Sequence, residues 1–129
     1  MTEYPEQMIY IENMFDDSPD MLLRLCELMS DEPSFKVCLD VAHAFISGKP
    51  IKNWYNAFKN KTGHLHINDN DAEQDLHLPV GSGKFNWSEF DSWCKSSEIN
   101  PSVLVEVRGY KDLIKSVEFM EEKHIYPFK

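Results

Sequence analysis

The apolar residues of the chain follow two spacings, one typical of strands and one typical of helices. Short apolar runs at 8–13, 35–44, 62–69 and 102–109 alternate with a period of two and predict four β-strands. After each run, apolar residues recur every three or four positions, which predicts helices at 16–31, 50–60, 86–98 and 110–123. Strands that alternate with helices favour parallel pairing with right-handed crossovers. The pattern therefore predicts an α/β fold of four consecutive β–α units in a single domain, 1–129.

Local signals predict where the helices begin and which side chains they bury. Ser18 is the predicted N-cap of the first helix and Pro19 its first residue. The third helix is predicted to bury Trp87, Phe90, Trp93 and Cys94, and the fourth Leu113, Ile114, Val117 and Met120. "GSG" at 81–83 predicts a tight turn; the alternative is that its amides bind a phosphate or a carboxylate.

Polar side chains collect at one end of the predicted strands. Side chains alternate between the two faces of a strand, so one face ends in Glu12, Asp40, His66 and Glu106. Parallel neighbours place these ends side by side, at the edge where α/β sheets and barrels bind ligands. We therefore expect the four residues to form one site.

These four residues are predicted to bind a divalent metal. Three carboxylates in one place repel each other and do not all stay ionised without a compensating charge. A cation supplies that charge, and His66 adds a nitrogen ligand. Manganese, zinc, cobalt and magnesium are the candidates. The alternative for any single residue is a polar strand end capped by loop amides, since ion-pair networks also gather charges.

A second set of polar residues lies nearby in the sequence. His43, Asp75 and His77 make a possible three-ligand metal site with an open position. In the alternative interpretation, His43 orients a substrate hydroxyl and Asp75 holds His77 in one tautomer. Arg108, just past the fourth predicted strand-end carboxylate, is predicted either to bind an anionic substrate group or to pair with Asp112.

Composition narrows the class of protein and its partners. The 129 residues carry a formal net charge of −9, which opposes non-specific binding to nucleic acid. No apolar run reaches the roughly 18 residues of a membrane span, so no membrane partner is expected. Cys26, Cys38 and Cys94 form no paired pattern. We expect reduced thiols in a cytoplasmic protein.

Five segments together resemble a known superfamily. In order along the chain they are "IEN", "LDVAHA", "HLHINDND", "DLHLPVGSGKFNW" and "LVEVR". They are similar to the xylose isomerase-like TIM barrels, which include sugar-phosphate isomerases and epimerases and the AP endonuclease family 2 enzymes related to endonuclease IV. The resemblance extends from Met8 to about Glu122, but it covers only the last four of the eight β–α units of a barrel. It implies the C-terminal half of such a barrel.

The resemblance also implies roles for individual residues. In ketose 3-epimerases of this superfamily, one divalent metal is held at the positions that correspond to Glu12, Asp40, His66 and Glu106. The two glutamates there are the acid/base pair, and a histidine like His43 contacts substrate. In endonuclease IV the same four positions hold one zinc, and another is held by residues like His43, Asp75 and His77.

Three functions remain open at this stage. The first is metal-dependent isomerisation or epimerisation of a sugar or sugar phosphate, with Glu12 and Glu106 moving a proton next to a carbonyl. The second is a non-catalytic, metal-binding half barrel that acts as an assembly partner. The third is phosphodiester cleavage at abasic DNA, which the acidic charge and the absence of the histidines expected from the early strands both disfavour.

A half barrel also predicts a partner, because four strands leave two open edges and an uncovered polar face. A second copy of the chain would close an eight-stranded barrel, as would a separately encoded N-terminal half. A rearranged remnant is the third arrangement. We predict the homodimer, since it is the commonest symmetric solution.

Overall fold

The structure, a computed structural model, describes residues 6–98 and 100–129. The predicted domain also includes residues 1–5 and 99, which lie outside these ranges. The described elements are β1 (Ile9–Glu12), α1 (Asp20–Leu28), β2 (Phe35–Asp40), α2 (Val41–Ile46), α3 (Ile51–Phe58), β3 (Thr62–Ile67), α4 (Trp87–Ser96), β4 (Ser102–Val105) and α5 (Tyr110–Glu122). The strands form one parallel sheet in the order β1-β2-β3-β4. This confirms the predicted α/β class and the four consecutive β–α units of a half barrel.

The second strand is shorter than predicted. The pattern predicted a strand over 35–44, but β2 ends at Asp40 and α2 begins at Val41. Asp40 caps the new helix, because its Oδ1 accepts a 2.8 Å hydrogen bond from the His43 backbone N–H. Val41, Ala42, His43 and Ala44 are all buried, so their apolar character reflects burial in a helix. The cap turns the chain at the sheet edge and keeps His43 beside it.

Other boundaries differ by a few residues. β3 ends at Ile67 and β4 at Val105, short of the predicted 69 and 109. The cap residue of α1 is Pro19, so the prediction of Ser18 as N-cap was wrong by one residue. The Ser18 hydroxyl instead donates a 2.9 Å hydrogen bond to the carboxylate of Asp20.

The hydrophobic core lies between the helices and one face of the sheet. Side chains of β2 and β3 that point to this face have no exposed surface: Val37, Leu39, Leu65 and Ile67. The predicted stripe of α4 is buried in full: Trp87, Phe90, Trp93 and Cys94. All three cysteines are buried free thiols. No helix in the described part of the chain is both long and apolar enough to cross a membrane.

The predicted stripe of α5 is only partly correct. Met120 is buried, but Leu113 and Ile114 are 36% and 37% exposed. Ser116 is buried instead, where its hydroxyl donates to the Asp112 carbonyl over 2.7 Å and accepts from the Val80 N–H over 3.0 Å. An apolar side of α5 is therefore left uncovered within the described residues.

A bulge at Gly63 determines which side chains of β3 face the polar side of the sheet. Val37 pairs with Thr62, whereas the next residue of β2, Cys38, pairs with His64. Gly63 is thus one extra residue in β3. Paired residues of parallel strands point to the same face, so the bulge turns His64 toward the polar face beside Cys38.

Side chains crowd the bulge, so any residue larger than glycine would force them to shift. A Cβ at Gly63 would lie 2.6 Å from a ring carbon of Tyr10 and 2.7 Å from a side-chain carbon of Lys36. With the bulge in place, His66 pairs with Asp40, which aligns two predicted metal ligands.

Candidate metal centre

The four predicted metal ligands converge at the C-terminal edge of the sheet. One ligand atom from each lies within 4.8 Å of those of the others, in the set Glu12, Asp40, His66 and Glu106. Glu12 and Asp40 are the last residues of β1 and β2, His66 is the next-to-last of β3, and Glu106 follows β4 directly. The Glu106 N–H donates to the carbonyl of Ile67 over 2.9 Å, which fixes its position beside β3.

The imidazole of His66 lies between the two glutamates. Its Nδ1 is 3.1 Å from Glu12 Oε1 and 3.5 Å from Glu106 Oε2. Exposure divides the carboxylates into two kinds. The Asp40 side chain is fully buried, whereas those of Glu12 and Glu106 are 27% and 40% exposed. Asp40 therefore lies at the buried bottom of the site, and the two glutamates line its solvent-accessible side.

The buried carboxylate of Asp40 would be stabilised by a bound cation or a proton. Its Oδ2 is buried and has no hydrogen-bond partner in the described residues. Burial raises the pKa of this carboxyl to about 6, against the lowering effect of the nearby His43 charge and backbone N–H. A buried carboxylate without a counter-charge is costly. Three carboxylates and one imidazole are a donor set that manganese, magnesium, cobalt or zinc would fit.

Asn13 holds the backbone of Asp40 in place through hydrogen bonds, and the sequence reasoning missed it. It is fully buried. Its side chain accepts from the Asp40 N–H over 2.8 Å and donates to the Asp40 carbonyl over 2.9 Å. Its own carbonyl accepts a 2.9 Å hydrogen bond from His43 Nδ1. The only signal in the sequence was its place directly after Glu12.

One carboxylate oxygen of Asp75 contacts the imidazoles of both His43 and His77. Asp75 Oδ2 lies 3.3 Å from His43 Nε2 and 3.1 Å from His77 Nε2. Each ring donates its Nδ1–H to a backbone carbonyl, of Asn13 and of Glu106 respectively. Asp75 Oδ1 is buried and has no partner in the described residues. Both rings thus contact the same carboxylate oxygen, but the ligand atoms of the three residues do not all lie within 4.8 Å of one another.

The charge on His43 follows from its surroundings. Burial disfavours the imidazolium, but Asp40, the Asn13 carbonyl and Asp75 together raise the pKa of His43. Phe15 covers the ring, with the two ring centroids 5.1 Å apart, and is itself 70% exposed. His43 is therefore a buried imidazole on the rim of the candidate site, with acidic neighbours on two sides.

Asp69 anchors the loop that carries Asp75 and His77. Its carboxylate accepts four hydrogen bonds of 2.8–3.0 Å, from the backbone N–H groups of Asn70, Gly81 and Phe85 and from the Trp87 indole. "GSG" forms the predicted turn, with a positive φ of 86° at Gly81. A Cβ at Gly83 would clash with Asp69. The glycines therefore serve the packing of this loop.

Two further polar residues near the strand ends differ in burial. Arg108, the predicted anion-binding residue, is exposed. Asn68 is fully buried, and neither atom of its amide group has a hydrogen-bond partner in the described residues. Sequence reasoning did not single out Asn68, although it directly follows β3.

Residues 4–123 match the family described as xylose isomerase-like TIM barrel. The chain belongs to this family. Two relatives in Methanocaldococcus jannaschii are the uncharacterized proteins MJ1614, 29% identical over 96 residues, and MJ1311, 25% identical over 119 residues. These matches cover 74% and 91% of this chain but only 38% and 40% of the relatives. The chain therefore spans about two fifths of the relatives' length.

Solved structures agree with the family assignment. The crystal structure of a D-tagatose 3-epimerase-like protein superposes with a TM-score of 0.75 at 25% identity, over 89% of this chain and 46% of that protein. The TTHB071 protein from Thermus thermophilus, soaked with ZnCl2, superposes with a TM-score of 0.65 at 24% identity, over 88% and 43%. This xylose isomerase-like chain thus corresponds to about half of a barrel.

Proposed function

We propose that the chain supplies the metal-binding half of a sugar or sugar-phosphate isomerase or epimerase. The observation that carries the proposal is the convergence of Glu12, Asp40, His66 and Glu106 within 4.8 Å. When bound there, a divalent cation would polarise the oxygens of a carbonyl and of its neighbouring hydroxyl. The likeness to a D-tagatose 3-epimerase-like protein supports this class of reaction.

The glutamates are the proposed acid and base. Glu12 comes from β1 and Glu106 from beyond β4, so they reach the site from the two ends of the sheet. Their greater exposure, compared with that of Asp40, leaves them open to a substrate. One carboxylate takes the proton next to the carbonyl, and the other serves the opposite face of the same carbon.

His43 and Arg108 are the proposed substrate contacts. His43 is held by the Asn13 carbonyl and carries a raised pKa, against its burial, because of its acidic neighbours. A substrate hydroxyl would compete with Asp75 for Nε2 of this ring. Arg108, exposed just beyond Glu106, would bind a phosphate or another anionic group at a planar fork of donors.

The uncovered edges support a closed barrel as the active form. Met8, Ile9 and Tyr10 beside one edge and Leu104 at the other are 39–45% exposed. We propose that a second copy of the chain covers these edges, with a separately encoded N-terminal half as the alternative partner. Either partner would add the strands that surround a substrate.

Solvent exchange tests the chemistry. The protein, loaded with manganese, cobalt or magnesium, is incubated in deuterated water with ketoses and ketose phosphates, and deuterium next to the carbonyl is measured. We expect exchange in the wild type and a fall of about a hundred- to ten-thousand-fold in Glu106→Gln. Glu73→Gln, an exposed glutamate of the loop after β3, is the matched control and should keep the wild-type rate.

A lack of exchange with every substrate, alone and with an added N-terminal half, would favour the non-catalytic half barrel. Phosphodiester cleavage is a second candidate. It would need a second metal, and the contacts of His43 and His77 with one oxygen of Asp75 support these three residues as its ligands. Histidines that bind metals commonly have the other ring nitrogen fixed by a backbone carbonyl, as both do here. Cleavage of an abasic oligonucleotide under the same conditions would establish it.

A further inference from the structure

A second group of metal-ligand side chains lies on the polar face of the sheet. One ligand atom from each of Cys38, His64 and His66 lies within 4.8 Å of those of the other two. We propose that these three residues form a second site, which shares His66 with the carboxylate site, for a zinc-class cation that prefers sulfur and nitrogen ligands. The site goes beyond the proposed isomerase function, which uses neither Cys38 nor His64.

The Gly63 bulge builds this group. Without the extra residue, Gly63 and not His64 would stand beside Cys38 on the polar face. The rings of His64 and His66 meet edge to face, with centroids 5.2 Å apart and an interplanar angle of 84°. A tetrahedral zinc with bonds of about 2.0–2.3 Å spaces its ligand atoms roughly 3.5 Å apart. Small side-chain rotations would bring the ligand atoms, which lie within 4.8 Å of one another, to this spacing.

Hydrogen bonding prepares His64 for a metal. Its Nδ1 lies 2.7 Å from the hydroxyl of Ser102, its partner on β4. A metal-binding histidine typically has one ring nitrogen held in this way, which leaves the other free to coordinate. Ser102 would therefore be a positioning residue for the site.

The thiol is sheltered while the imidazole is reachable. Cys38 is only 3% exposed, and His64 is partly exposed. A cation would therefore enter from the His64 side and displace the proton of a thiol that water hardly contacts. The other two cysteines, Cys26 and Cys94, are also buried, on helices α1 and α4, and serve as comparisons.

The two sites differ in ligand chemistry and share one ring. Carboxylates dominate the first site, which suits manganese and magnesium, whereas a thiolate and two imidazoles suit zinc and cobalt. His66 belongs to both sets. Occupancy of one site is therefore coupled to occupancy of the other through a single imidazole.

Cobalt absorption tests the proposal. Reduced protein is titrated with Co²⁺, and the near-ultraviolet charge-transfer band of a cobalt–thiolate bond is recorded. We expect this band in the wild type and in Cys94→Ser, and no band in Cys38→Ser. Ser102→Ala should keep the band with an affinity about 10- to 100-fold weaker. Asp40→Asn, which removes a ligand of the other site only, should keep the band.

Because Cys38 is buried, His64→Asn is included as a variant at a partly exposed position, and circular dichroism checks that each variant is folded. The His64→Asn band should weaken about tenfold or more in affinity. No band in the folded wild type would overturn the proposal. A band that survives in folded Cys38→Ser, or one that is lost in Cys94→Ser, would do the same.

Discussion

The two central strands and the two edge strands of the sheet differ in how completely this chain surrounds them. On the face that the helices cover, Leu39 of β2 and Leu65 of β3 are fully buried, whereas Ile9 of β1 is 39% exposed and Val103 of β4 is partly exposed. Within residues 6–98 and 100–129, the central strands pair on both sides and each edge strand pairs on one side only. The centre of the half barrel is thus a finished core, while its edges present apolar surface that a neighbour would cover.

The ligands of the candidate metal centre divide in the same way. Asp40 and His66 come from the central strands, with side chains 0% and 18% exposed, and Glu12 and Glu106 come from the edges, with side chains 27% and 40% exposed. The central pair is fixed by packing and by the Gly63 bulge. The edge pair lies where a partner and a substrate would meet.

The largest expected effect contrasts a central with an edge leucine. Leu39→Ala removes fully buried methyl groups and should lower the free energy of unfolding by about 2–5 kcal/mol. Leu104→Ala, at a half-exposed position, should lower it by less than about 1 kcal/mol. Urea denaturation of both variants measures the difference. Equal losses would mean that Leu104 is as tightly packed as Leu39.

Asp69 should be the most sensitive polar residue outside the strands. Asp69→Ala leaves three backbone N–H groups and the Trp87 indole without their acceptor, at a cost of about 3 kcal/mol. Asp71→Ala, in the same loop, is the control, because Asp71 accepts only from exposed N–H groups. Thermal unfolding should separate the two variants clearly. A matching melting temperature would argue against Asp69 as the anchor of the loop.

The stability of the metal-free protein should depend on pH through Asp40. Burial raises the pKa of Asp40 from 3.8 to about 6, so the folded state holds this proton more tightly than the unfolded state. The stability that this provides is complete below pH 3.8 and is lost as the pH rises to about 6. It amounts to at most about 3 kcal/mol.

A metal bound at the proposed site would replace that proton, so the stabilisation by Mn²⁺ should grow across the same pH interval. Melting temperatures in EDTA and in Mn²⁺, from about pH 4 to about pH 7, measure both effects. Asp40→Asn should weaken the dependence of melting temperature on pH both in EDTA and in Mn²⁺. A Mn²⁺ stabilisation that does not change with pH in the wild type would contradict this account of Asp40.

The smallest expected effect on stability is at the edges, where the effect on assembly should be large. Leu104→Lys should change the free energy of unfolding of the monomer by less than about 0.5 kcal/mol and should prevent dimerisation. Sedimentation of the wild type at micromolar concentration should give twice the chain mass. A dimer would bring the three carboxylates of each copy into one barrel. When EDTA removes the metal, their repulsion is no longer compensated, so EDTA should weaken the dimer. A wild-type monomer in Mn²⁺ would contradict the homodimer.

Much of this organisation could be predicted from the sequence, because periodicity reports which face of an element is buried. The four strands and the convergence of Glu12, Asp40, His66 and Glu106 follow from alternation and from parallel pairing. Helix α2 was missed because a run of buried residues looks alike in a strand and in a helix. The bulge at Gly63 and the burial of Asn13 depend on contacts between distant segments, which a local pattern does not contain.

Metal content tests the central claim most directly. Protein dialysed against Mn²⁺ and then against buffer is analysed for bound metal, with Asp40→Asn and His66→Gln beside the wild type. Asp71→Asn is the control for loss of an acidic group. We predict tight binding at the carboxylate site in the wild type and the control, and a loss of about tenfold or more in affinity in the two ligand variants. Equal manganese content in all four proteins would contradict the metal centre.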